Sequence, residues 1–104
     1  MDNQTLAALK GSIRKWENIV AGTGVDKGVF NCPLCELFWD DDCTGCPVSE
    51  RTGLMNCRGT PYNMWEALTK RDDATHGDPE RIAAAQAELD FLRSLLPRYD
   101  HVAV

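Results

Sequence analysis

No stretch of this 104-residue chain comes near eighteen consecutive apolar residues, so nothing in it reads as a membrane-spanning helix. It also lacks any alternation of apolar and polar residues long enough to read as a β-strand, and it has no internal repeat and no low-complexity segment. The common catalytic constellations are missing. There is no HExxH, no phosphate loop, no Ser–His–Asp set and no carboxylate pair in apolar surroundings, so an enzyme is not expected. Histidine is scarce. His76 falls in a polar connector and His101 in the C-terminal tail, neither spaced as a partner for cysteine, and both read as surface residues.

An excess of basic residues is lacking as well. Eleven Lys and Arg stand against sixteen Asp and Glu, for a net charge of −5, and the acidic excess lies beyond residue 31. A chain without a basic stripe grips a phosphate backbone poorly, which argues against nucleic acid as the partner. Lys10, Arg14 and Lys15 do cluster, but three charges on a helix read as its solvated side. The opening MDNQTLAALKGS has neither a basic n-region nor an apolar h-region, so the expected location is the cytoplasm, where thiols stay reduced.

What is present is helical periodicity. The length suits one domain with a modest core, and a hydrophobic share of 43% is ordinary for a globular chain. Leu6, Leu9, Ile13, Trp16 and Val20 recur at steps of three and four, predicting a helix that starts at Asp2 or Asn3 and ends at Gly22. Thr60 as cap and Pro61 in the first turn predict a second helix over 60–71, with Met64 or Trp65 and Leu68 on its buried edge. Asp78, Pro79 and Glu80 open a third over 78–97, whose stripe is Ile82, Ala85, Leu89, Leu92 and Leu96. That stripe covers only about two heptads, so its expected partner is the first helix rather than another chain. The expected fold is mainly α: a small three-helix domain, residues 1–104, with a cysteine-rich, metal-stapled loop over 23–59.

The loop holds all five cysteines, spaced C-x2-C-x7-C-x2-C-x10-C. Two residues between cysteines let both sulfurs turn toward one ion, as tetrahedral zinc requires at about 2.3 Å per bond. Two such pairs make a four-thiolate zinc site of Cys32, Cys35, Cys43 and Cys46 the expected arrangement. The pairs are not equivalent: in CTGCP, Gly45 frees the backbone and Pro47 removes an N–H, which leaves Cys57 as a substitute ligand for one of the four. The loop has few apolar residues to offset an ordering cost of about 1–2 kcal/mol per residue. Zinc on four thiolates can supply about 10–16 kcal/mol, and with every position filled by protein it would stabilise rather than catalyse. An iron–sulfur cluster is the alternative, suggested by Cys46–Pro47. Thiol redox chemistry at CPLC is a weaker one, because no βαβ scaffold surrounds it.

Between the pairs, Trp39 is followed by Asp40, Asp41 and Asp42. Three carboxylates beside an anionic thiolate centre must face water or a partner. With Trp39 as an anchor of the kind found at interface hot spots, these four residues are the expected partner-binding surface.

Taken together, KWENIVAGTGVDKG, CPLC, CTGCP and CRGTPYNMW resemble small cysteine-rich proteins encoded in bacteriophage genomes, over about residues 10 to 66. The resemblance brings no ligand set and no activity with it. What it implies is a setting, the bacterial cytoplasm during infection, where small acidic proteins bind host machinery. The expected function is a non-enzymatic, zinc-stabilised interaction module that inhibits or modulates a host complex, such as a defence system (an anti-CRISPR role) or a nucleic-acid-processing assembly. A zinc-containing nucleic-acid binder and an iron–sulfur or redox protein are the alternatives.

Overall fold

In the computed structural model, residues 2–27, 31–38, 45–53, 59–69 and 79–97 are described. Asp2 starts the first helix: its Oδ1 accepts the Thr5 N–H at 2.7 Å, and that bond holds its carboxyl below the ordinary range. α1 then runs over Asn3–Val20. Gly22, at φ 84°, turns the chain out of the helix and donates its N–H to the Ile19 carbonyl at 3.1 Å. Gly24 then donates to the Asn18 carbonyl at 2.9 Å, folding the exit back along the helix end.

Two short helices occupy the cysteine-rich segment, α2 over Pro33–Phe38 and α3 over Pro47–Thr52. Both begin with proline, whose missing N–H would be unsatisfied at that position anyway. α3 stops at Gly53, which adopts φ 73° and donates its N–H to Ser49. The two longer elements that follow are α4, Tyr62–Thr69, and α5, Pro79–Ser94. Thr60 caps α4 as expected, its Oγ1 accepting the Tyr62 N–H at 3.3 Å. All secondary structure among the described residues is helical, and among them no helix is long and apolar enough to cross a membrane.

The mainly α expectation therefore holds, with five helices among the described residues instead of three. α1, α4 and α5 fall in the three segments expected to be helical; α2 lies where the run after Pro33 allows a short helical turn, and α3 lies in the expected loop. α1 packs most extensively on α5, while α2 lies on α1 and α4 lies on α5. The core between them contains Leu9, Ile13, Trp16, Ile19, Leu34, Trp65, Leu68, Ala85, Leu89 and Leu92.

Two stripes are rotated from the sequence expectation. On α1 the buried set is Thr5, Leu9, Ser12, Ile13, Trp16 and Ile19, with Leu6 and Val20 only half-buried. On α5 it is Arg81, Ala84, Ala85, Glu88, Leu89 and Leu92, while Ile82 faces outward. Arg81 explains the rotation of α5: its guanidinium lies 4.6 Å from the centre of the Trp65 ring and donates to Thr69 Oγ1 at 3.3 Å. On α4, Trp65 is the buried residue and Met64 the exposed one.

Candidate functional site around Cys32 and Cys35

The first cysteine pair sits where α2 meets α1. Gly11 makes that approach close, because a Cβ there would lie 3.1 Å from the Pro33 ring. The chain reaches Cys32 through a loop closed by Asn31, whose side-chain amide donates to the Val25 carbonyl at 2.7 Å. Its oxygen accepts the Lys27 N–H at 2.8 Å. At the turn itself the Cys35 N–H donates to Cys32 Sγ at 3.2 Å. Neither residue is in a disulfide, and neither is Cys46.

These surroundings draw the Cys32 thiol from its ordinary 9.0 down to about 6. The Cys35 thiol, hydrogen-bonded to the Cys32 sulfur, contributes most. Burial opposes it, and the Cys35 N–H, the Lys15 ammonium and the Ser12 hydroxyl assist. Cys32 is therefore largely thiolate at neutral pH, the form that binds metals and attacks disulfides.

Lys15 is itself held in place. Its Nζ lies 2.8 Å from Asp26 Oδ1 and 5.4 Å from the centre of the Trp16 ring. The other Asp26 oxygen accepts from the Tyr62 hydroxyl at 2.9 Å and from Trp65 Nε1 at 3.0 Å. Trp16 stands edge-on to both of those rings, at centroid distances of 5.8 and 5.3 Å. One carboxylate thus ties α1, the loop after it and α4 together. This corrects the reading of Lys15 as solvated: Lys10 and Arg14 are exposed, but the Lys15 side chain is only 10% exposed and engaged with Asp26.

Glu88 enters from α5. It is 4% exposed, its Oε2 has no hydrogen-bond partner, and its carboxyl is raised from 4.5 to about 7. Burial is the main cause, followed by the negative charge of Cys32; Lys15 opposes both.

The second pair is represented by Cys46, which is buried against the core and immediately precedes α3. Gly45 just before it adopts φ 88°, and a Cβ there would lie 3.3 Å from the Phe38 ring at the end of α2. Among the described residues, no three His, Cys, Asp or Glu side chains stand together as a metal-ligand group. Cys43 and Cys57 lie outside the described residues, as do Trp39, Asp40, Asp41 and Asp42, and also His76 and His101.

Ser12, Asp26 and Glu88 carry no signal in the sequence, and Lys15 is read there only with Lys10 and Arg14, as a solvated face or, in the nucleic-acid alternative, as a phosphate contact. No motif links positions 12, 15, 26 and 88, and a charged residue inside an amphipathic pattern is ordinarily assigned to the solvent face. In comparison with known proteins, no family model, no curated protein and no solved structure matches the chain.

Proposed function

We propose that this chain is a non-enzymatic interaction module whose cysteine-rich segment is fixed by zinc. Cys32, Cys35, Cys43 and Cys46 are the ligands in this reading, with Cys57 as the substitute for one of them. The observation that carries it is the turn at Cys32. An amide N–H at 3.2 Å and a neighbouring thiol both donate to one sulfur, a thiolate–thiol pair that becomes a two-sulfur half-site for a cation once Cys35 gives up its proton. The approach of Gly45, the residue before Cys46, to the Phe38 ring at the end of α2 supports the same reading.

A metal held this way would display the segment between the two pairs, Trp39, Asp40, Asp41 and Asp42, to a protein partner. An acidic run suits a basic channel of the kind that binds nucleic acid, which favours a bacterial host complex of defence or nucleic-acid processing. The burial of Lys15 against Asp26 takes one cation away from any phosphate-binding face, which supports a protein partner over nucleic acid.

A second reading is favoured by the same pair. Cys32 and Cys35 could close into a disulfide, passing two electrons and their protons to a disulfide partner that is reduced to two thiols. Elemental analysis and a visible spectrum of protein purified without oxygen separate the readings. Zinc near one ion per chain with no visible band supports the module. A broad visible band with iron would assign a cluster instead, and a metal-free chain with a reversible Cys32–Cys35 disulfide would assign the redox couple. For the display surface, the test is capture of a host partner by wild type and by the D40N/D41N/D42N variant; equal capture at equal salt overturns it.

A further inference from the structure

The hydrogen bond at the first cysteine pair runs one way, and that makes the two sulfurs unequal. Cys32 stands at the cap of α2: its carbonyl accepts the Glu36 N–H at 2.9 Å, and its Sγ accepts the Cys35 N–H at 3.2 Å. A sulfur that accepts from a fixed amide is better able to carry negative charge than the sulfur of the residue that donates. The turn is anchored on both sides of Pro33. The proline ring stands against Gly11 of α1, where a Cβ would lie 3.1 Å from it, and Leu34 is buried in the core at 3% exposed. Cys32 and Cys35 themselves are half-buried and in no disulfide, so the pair sits at the edge of the core. Residues three apart on a helical turn have Cβ atoms about 5–6 Å apart, a separation that a modest adjustment of the turn closes to disulfide length.

We infer that Cys32 is the attacking sulfur and Cys35 the resolving sulfur in thiol–disulfide exchange with a disulfide substrate. The inference rests on the redox reading above and deepens it by giving each cysteine its own role. The Cys32 thiolate attacks one sulfur of the substrate disulfide, forming a Cys32–substrate mixed disulfide and expelling the other substrate sulfur as a thiolate, which takes a proton from water. The Cys35 thiol then gives its proton to solvent, and its sulfur attacks Cys32 Sγ. The Cys32–Cys35 bond forms as the mixed disulfide breaks, and the second substrate thiolate leaves and is protonated. The protein has lost two electrons, and the substrate disulfide has become two thiols.

The test uses protein purified without oxygen, treated with oxidised glutathione and mapped by tandem mass spectrometry. Wild type is expected to form the Cys32–Cys35 disulfide and release two molecules of reduced glutathione. Cys35→Ser should stop at a mixed disulfide on Cys32, while Cys32→Ser should gain glutathione on Cys35 at least about tenfold more slowly, because it lacks the attacking thiolate. Limited alkylation of wild type with iodoacetamide gives the same comparison without a variant, and Cys32 should be modified ahead of Cys35. Equal rates at the two cysteines, or a faster Cys35, overturn the assignment of roles and leave the redox reading standing. A wild-type chain that forms no Cys32–Cys35 disulfide overturns both.

Discussion

Lys15 and Asp26 form a 2.8 Å ion pair in which the side chains are only 10% and 11% exposed, and the aspartate also accepts from Tyr62 and Trp65. The pair joins the helix that backs the cysteine turn to the loop leading into that turn. Removing one partner of such a pair leaves the other charge buried and uncompensated. Asp26→Asn is expected to cost about 3–5 kcal/mol in urea unfolding, with a change in tryptophan fluorescence because Trp65 loses its charged acceptor. In a double-mutant cycle with Lys15→Met, the two losses should fall short of adding, since either change alone breaks the same contact.

Glu88 predicts a pH dependence with a definite sign. Its carboxyl is raised from 4.5 to about 7, so the folded state prefers the protonated form. The associated stability is fully present below pH 4.5 and is lost as pH rises through 7. A shift of that size corresponds to about 3 kcal/mol. Glu88→Gln at matched metal content should equal wild type near pH 4.5 and exceed it in stability above pH 7. Parallel stability curves for the two proteins from pH 4.5 to 8 would show that Glu88 is not held this way.

Gly24 predicts a steric effect. A Cβ at this position would meet the Asn18 side chain at 2.8 Å and the Ile19 backbone nitrogen at 2.9 Å, and backbone atoms have little room to yield. Gly24→Ala should cost about 1–3 kcal/mol, the range for forced overpacking. Asp26 follows two residues later, so the variant should also perturb Trp65 fluorescence in the same direction as Asp26→Asn. A midpoint unchanged from wild type would contradict the contact.

The parts of this fold that could be read from sequence are those with enough length to repeat. α1 spans five turns, so Leu9, Ile13 and Trp16 identify its buried side, and Thr60 and Pro61 mark the start of α4 without any tertiary information. α2 and α3 are six residues each, too short for a 3.6-residue period to declare itself; Pro33 followed by Leu34, Leu37 and Phe38 suggests a turn of helix for α2, and nothing comparable marks α3. The α5 face was misplaced because Arg81 and Glu88 are turned inward. Their burial depends on the Trp65 ring and on the α1 surface, which are contacts between distant positions. The same holds for the site. The C-x2-C spacing identifies Cys32 and Cys35, but the Lys15–Asp26–Tyr62–Trp65 connection joins three separated segments and leaves no spacing to recognise.

The central claim is that a metal on the thiolates orders the cysteine-rich segment, and amide hydrogen exchange with and without exhaustive chelation tests it most directly. Helices α1 and α5 share a core of Leu9, Ile13, Trp16, Ala85, Leu89 and Leu92, so their central amides should keep their protection once the metal is removed. Amides of residues 34–53 should lose protection by tenfold or more. An exchange pattern that chelation leaves unchanged throughout 34–53 would contradict the claim.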